Sequence, residues 1–212
     1  MESDLLYYQI KAESRSYDVW RPVFWVECIM VHGCSGDRWR RGWQNPETIL
    51  TQIGLRSGSV FVDVGCGSGF FALPAARLVG KTGRVYGVDI DPDAIETLSR
   101  RAAEEGLDNL DLKVSEAEET LLCKGCADIV FFGINLHDFR DPSKVLMNAR
   151  KMLKPDGRLI DLDWKKELME LGPPMRIRFS QDQATSLIVK AGFKIESTTE
   201  AGLYHYLITA RP

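Results

Sequence analysis

The chain has 212 residues, of which 44% are hydrophobic and 27% charged, with a formal net charge of −3. That is room for one domain with a full core, and it is short for two. Ordinary composition, a slightly acidic balance and no apolar run near the roughly 20 residues of a bilayer span argue against a membrane protein and against global attraction to nucleic acid.

Residues 1–44 stand apart. Met1-Glu2-Ser3-Asp4 offers neither a basic n-region nor an apolar h-region, so no secretory signal is expected. The segment holds Trp20, Trp25, Trp39 and Trp43 with Tyr7, Tyr8, Tyr17 and Phe24, and its six basic and six acidic residues cancel. It reads as a helical, aromatic segment packed on a larger domain, and as a lid closing a substrate pocket. Arg38, Arg40 and Arg41 around Trp39 lack the wider basic face that nucleic-acid binding needs.

From residue 45 onward, helix and strand signals alternate. Asn45-Pro46, Asp91-Pro92 and Asp141-Pro142 each put an N-cap residue before a proline at the first helical position. They predict helices over 47–53, 93–105 and 143–153. Ser180 opens another, running to Ala191 and stopped by Gly192. Short apolar runs between them predict strands at 60–64, 84–89, 110–114, 128–133, 157–163, 194–197 and 204–210. Val60-Phe-Val and Ile129-Val-Phe-Phe132 are apolar on both faces, as in a parallel sheet covered by helices on two sides. No helical signal separates the last two runs, which should form an antiparallel hairpin. The expected fold is α/β: a doubly wound, seven-stranded, mostly parallel sheet ending in that hairpin.

The segment 59–70 reads Ser-Val-Phe-Val-Asp-Val-Gly-Cys-Gly-Ser-Gly-Phe, and the strand Val85-Tyr-Gly-Val-Asp89 ends in an acid. Glycines let a loop turn sharply and bring backbone N–H groups to a ligand. An acid closing the next strand suits the two hydroxyls of a ribose. A dinucleotide fingerprint would place its third glycine three residues after the second. Here the spacing is G-x-G-x-G, the sixth position is Phe70, and Asp63 stands two residues before Gly65. A carboxylate there would repel a pyrophosphate and suit an ammonium or sulfonium.

In these features the chain resembles the class I S-adenosylmethionine-dependent methyltransferases, over roughly residues 45–212. Its general aspect is that of the small members that include ubiquinone/menaquinone methylases. The resemblance implies an enzyme with S-adenosyl-L-methionine as cofactor and S-adenosyl-L-homocysteine as product. It implies that Asp63, Gly65, Cys66, Gly67 and Gly69 shape the methionine half of the site, that Asp89 binds the ribose, and that Ile90 packs on the adenine. Glu116 and Ala117 would meet the adenine edge, with a slip to Glu118 or Glu119 left open. Gly133 and Asn135 would face the methionine amino group. The acceptor would be a small molecule, with no membrane or nucleic-acid partner, and a homodimer is allowed. An N-P-P-Y or D-P-P-Y tetrapeptide, the mark of amino-group methylases of bases or glutamine, is absent after the fourth strand. The rival readings are a nicotinamide-dependent oxidoreductase of the same architecture and a non-catalytic cofactor-binding module.

Outside the cofactor loop the chemistry is less legible. His137 follows the fourth strand and is the candidate for removing a proton from the acceptor, against a plain packing role. Asp163, Trp164, Arg176 and Arg178 could face the acceptor, the two arginines suiting an anion; surface charge is the simpler reading of both. Five cysteines and no export signal suggest a reduced, cytoplasmic protein. Cys123-Lys-Gly-Cys126 could join Cys28 and Cys34 around zinc, or form a redox pair, but free thiols and no metal are expected. The acceptor itself and the atom methylated are not written in any motif.

Overall fold

The computed structural model describes residues 36–212. The chain divides into two units, Met1–Trp43 and Gln44–Pro212. Of the first, the described part is a short helix, α1 (Gly36–Arg40), and an edge-to-face pair of Trp39 and Trp43 with ring centroids 5.4 Å apart. The lid expected over residues 1–44 otherwise lies outside the described residues.

The second unit begins with α2 (Pro46–Gln52), β1 (Val60–Val64) and α3 (Ala72–Val79), followed by β2 (Arg84–Asp89), α4 (Pro92–Glu104) and β3 (Leu110–Val114). It continues with β4 (Ala127–Gly133), α5 (Pro142–Met152), β5 (Leu153–Trp164), α6 (Gln181–Lys190), β6 (Lys194–Ala201) and β7 (His205–Arg211). The caps are those the residue types dictate. Side-chain oxygens of Asn45, Asp91 and Asp141 accept from Thr48 N at 2.8 Å, Asp93 N at 2.9 Å and Lys144 N at 3.0 Å. Ser180 and Gln183 bond reciprocally in a capping box.

The strands form one sheet in the order β3-β2-β1-β4-β5-β7-β6, parallel except for β7. Order reverses between β1 and β4, and an open α/β sheet places its ligand crevice outside the carboxyl ends at that point. Each sheet face carries its own apolar core. One gathers Phe61, Val85, Phe131 and Ile160 with α3 and α4; the other gathers Val62, Phe132, Leu159 and Ile208 with α5 and α6.

Three expectations need correction. β5 starts at Leu153 rather than 157, because Leu153 already pairs with Ala127; the ladder then breaks before Arg158 pairs with Ile129. Pro155 and Gly157 mask this start in the sequence, since proline cannot donate to a ladder. β6 runs on to Ala201 because Thr199 and Glu200 pair with Leu207 and Tyr206 of the hairpin partner. Cys123 and Cys126, expected as free thiols, are joined in a disulfide. Gly125 N and Cys126 N donate to Lys151 O and Met152 O, both at 2.9 Å, and that turn holds the two Cα atoms 6.0 Å apart. Among the described residues no group of histidine, cysteine and acidic side chains could hold a metal ion, and no helix is long and apolar enough to cross a membrane.

Candidate functional site

The glycine loop leaves β1 and is pinned to β2 by backbone bonds. Gly65 N and Cys66 N both donate to Val88 O, at 2.8 and 3.1 Å. Asp89, buried at the end of β2, closes the arrangement. Its Oδ2 accepts from Gly67 N at 2.7 Å and its Oδ1 from Asp91 N at 3.0 Å. A carboxylate has about four acceptor sites, so this acid both shapes the loop and lies where a ligand's hydroxyls would meet it.

The glycines differ in what they do. Gly67 has φ +51, and a Cβ built on it would meet nothing within 4 Å. The loop crown is therefore an open backbone surface that a side chain would fill. Gly69 is needed for close packing: a Cβ there would lie 2.3 Å from Leu98 Cδ1 of α4. Gly65 makes room for Asn135, whose Nδ2 would stand 2.3 Å from such a Cβ. Cys66 is filler, fitted against Gly87. Burial above all, then the charges of Asp63 and Asp89, push its thiol far above the ordinary range, so it is an inert thiol.

Around this loop the other predicted residues fall at the carboxyl edge. Ile90 is 56% exposed just past β2, and Val114, which pairs with Asp89 in register, is exposed at the end of β3. The two form an apolar margin of which sequence reasoning named only Ile90. Ala117 is buried at the start of a 3-10 turn, Ala117–Glu119. Glu116 faces the rim and pairs with Arg140 at 2.9 Å. Glu118 is buried and accepts from Asp141 N at 3.2 Å, while Glu119 pairs with Lys144. Of the acidic run, Glu118 and Glu119 are thus committed to the start of α5.

Gly133 is packed by Phe131 and Phe71, which leave no room for a Cβ. Ile134 follows with φ +62, a left-handed conformation that β-branched residues avoid. The strain is held by Ile134 N donating to Leu162 O at 2.6 Å. It turns Asn135 back across the switch point, where Nδ2 donates to Val64 O at 2.6 Å and Gly65 O at 3.1 Å. Asn135 Oδ1 is buried without a hydrogen-bond partner among the described residues. Such an orphaned acceptor beside the glycine loop would suit an ammonium group.

His137 lies in the next 3-10 turn, Leu136–Asp138, and its side chain is 2% exposed. Its Nδ1 sits 2.8 and 2.9 Å from the two oxygens of Asp163, whose Oδ1 also accepts from Trp164 N at 2.7 Å. Asp163 is therefore turned to His137 and not to an acceptor. Trp164 is also buried, its ring tilted against that of His205 with centroids 4.3 Å apart, and packed under Gly172. Arg178 is neither a surface charge nor an anion receptor: its buried guanidinium donates to Pro173 O at 2.6 Å, Leu171 O at 2.9 Å, Lys165 O at 3.1 Å and Glu167 O at 3.2 Å. It stitches the 165–178 loop together, whereas Arg176 is exposed. Asp161 and Tyr206 escaped sequence reasoning. Asp161 is fully buried, and its two oxygens and the Tyr206 hydroxyl have no hydrogen-bond partner among the described residues. Burial, and then Asp163, hold the Asp161 carboxyl well above the usual range. The signal was present: Asp161-Leu-Asp163 sets two acids on one strand face whose other members, Leu153, Pro155, Gly157 and Leu159, carry no polar side chain.

Residues 55–192 match a family model described as a methyltransferase domain. The chain is similar to nocamycin O-methyltransferase of Saccharothrix syringae, 32% identical over 111 residues, covering 52% of this chain and 40% of that protein. It is 29% identical over 155 residues to the ubiquinone/menaquinone biosynthesis C-methyltransferase UbiE of Hydrogenovibrio crunogenus, covering 73% and 59%. The chain spans about half the length, 40–60%, of the curated relatives it matches. Its structure is similar to that of a SAM-dependent methyltransferase from Aquifex aeolicus, with a TM-score of 0.77 and 29% identity over 81% of this chain and 91% of that one. The chain belongs to the methyltransferase domain family, on the Rossmann-like fold of S-adenosylmethionine-dependent methyltransferases.

Proposed function

We propose that this protein transfers a methyl group from S-adenosyl-L-methionine to a small-molecule acceptor and releases S-adenosyl-L-homocysteine. The observation that carries the reading is Asp89 locked to the crown of the glycine loop through Gly67 N, beside a loop surface open at Gly67. In this reading Asp89 accepts the ribose hydroxyls. Ile90 and Ala117 flank the adenine, with Glu116 at its edge. Asp63, Gly65, Cys66, Gly67 and Gly69 shape the wall along the methionine half, and Gly133 and Asn135 meet its amino group. When bound, the cofactor supplies a methyl group on positively charged sulfur, already activated toward displacement. What is left to the chain is to align the acceptor, exclude water and take up a proton where the acceptor has one to lose. Alignment alone can account for about 7–11 kcal/mol of such a barrier.

The small-molecule acceptor is supported by the acceptor classes in the relatives' names, a quinone pathway and an O-methylated product. The oxidoreductase reading is disfavoured by Phe70, which stands where a dinucleotide loop needs glycine. Thermal melts distinguish the two, since a ligand of the native state raises Tm by mass action. Saturating S-adenosylhomocysteine should raise Tm and NAD should not; the reverse pattern removes the proposal.

A further inference from the structure

We propose that Arg101 is a positioning residue of this site: from α4 it fixes the Ser68–Gly69 peptide of the glycine loop, so that the loop is set for S-adenosylmethionine before the cofactor arrives. The inference rests on the methyltransferase reading above and adds a residue that lies outside the glycine motif, on the helix beyond Asp89.

The loop is a tight turn. Gly69 N donates to Cys66 O at 3.1 Å, which closes Cys66–Gly69 on itself. Three contacts fasten the turn from outside. Asp89 Oδ2 accepts from Gly67 N at 2.7 Å, Leu98 of α4 lies where a Gly69 side chain would stand, and Arg101 Nη1 donates to Ser68 O at 2.8 Å. Leu98 and Arg101 are three residues apart and so share one face of α4, the face under the loop. The crown at Gly67 stays open. Gly69 has φ +96, and glycine takes positive and negative φ about equally. The Ser68–Gly69 peptide can therefore turn over at little backbone cost, exchanging the directions of its C=O and N–H. Two hydrogen bonds oppose that turn, Gly69 N to Cys66 O and Arg101 to Ser68 O. The second is assisted by a full charge, which makes it the stronger kind.

Arg101 is itself held in a row of charges that crosses three helices. Glu47 of α2 lies 4.0 Å from Arg77 of α3, and Arg77 binds Glu105, the C-cap of α4, through Nε and Nη2 at 2.6 Å each. The bond from Arg77, then the charges of Arg77 and Arg101, hold the Glu105 carboxyl below its usual range. Glu105 stands four residues after Arg101, on the same helix face, and favours the cation there. An arginine suits this place, because its side chain is long enough to reach the loop backbone and its charge does not vary with pH. It meets the loop backbone and acts through the peptide it holds.

The test uses the full chain and S-adenosylhomocysteine, with calorimetry for affinity and thermal melts of the ligand-free protein for stability. In R101L, Kd should rise about 10-fold while the ligand-free Tm stays close to that of the wild type. R101K, whose ammonium can also meet a single carbonyl, should recover most of the affinity. A wild type that does not bind S-adenosylhomocysteine removes the proposed function first and separately. Where the wild type binds, an unchanged Kd in R101L overturns the positioning role, whatever its Tm, and so does an R101K that binds no better than R101L. Should neither variant fold, amide hydrogen exchange in the wild type decides. A Gly69 N–H protected equally with and without S-adenosylhomocysteine supports a loop set in advance, and protection gained only on binding refutes it.

Discussion

At Asp89, the last residue of β2, one carboxylate has a structural duty and a proposed one. It fixes the conformation of Gly67 and Asp91, and in the proposed complex it takes the ribose hydroxyls. Charge-assisted hydrogen bonds are each worth about 1.5–3 kcal/mol when lost. With two ribose hydroxyls losing their acceptor, Asp89→Ala should therefore weaken S-adenosylhomocysteine binding by about 10²- to 10⁴-fold, with far-UV circular dichroism unchanged. Calorimetry on the variant checks this, and an unchanged Kd would remove Asp89 from the site. Asp161 carries a different prediction. Its folded-state pKa is raised by burial and by Asp163, so the native state holds a proton that the unfolded chain releases above about pH 4. Stability should fall as pH rises from about 4 through the folded-state pKa and level off beyond it. Asp161→Asn keeps the shape and removes the titration, so urea midpoints for the variant should be flatter across pH 4–8 than those of the wild type, and higher at the alkaline end.

Among the elements, the two edges of the sheet have separate duties. The carboxyl edge holds every residue assigned to the cofactor. The amino end of β4 holds the disulfide, whose Cys126 precedes the first β4 residue, Ala127. A bridge between residues three apart closes a very short loop, and loop-closure entropy allows it about 2 kcal/mol at most. Reduction, or Cys123→Ser, should lower Tm by no more than about 4–8 °C. It should leave S-adenosylhomocysteine affinity unchanged, because no strand shift is needed at the opposite edge. An altered affinity would show that the two edges are coupled. The loop between β5 and α6 is a third device. One arginine binds four backbone carbonyls there, a geometry that the planar guanidinium provides and a lysine does not.

For the whole molecule, the two-faced sheet lets the proposed methyl transfer rely on few specialised residues. Helices on both sides exclude water from the strands, and the reversal of strand order between β1 and β4 opens one crevice. Loops from β1, β2, β3 and β4 converge on it, with β5 supplying the acid behind His137. The same architecture hosts many reactions, so the acceptor is decided by side chains at that edge and not by the fold.

What could be read from the chain alone was what is local in sequence. Strands β1, β2 and β3 were legible at their observed bounds because each is a short run rich in β-forming apolar residues, bordered by turn residues. The helix starts followed from Asn45, Asp91, Asp141 and Ser180, whose caps act within three residues. The glycine loop was legible for the same reason: Asp63, the glycines and Asp89 lie within one β-loop-α-β stretch. Tertiary structure alone decided the rest, because those contacts join residues far apart in the chain. Asn135 reaches back 70 residues to Gly65, and His137 meets Asp163 across 26. Arg178 looked like a surface charge until the loop it binds was folded around it. Asp161 and Asp163 are the same residue type two positions apart, and no local rule separates them; one gained a histidine and a backbone N–H as partners, while the other is fully buried without a hydrogen-bond partner among the described residues, which pushes its carboxyl pKa up.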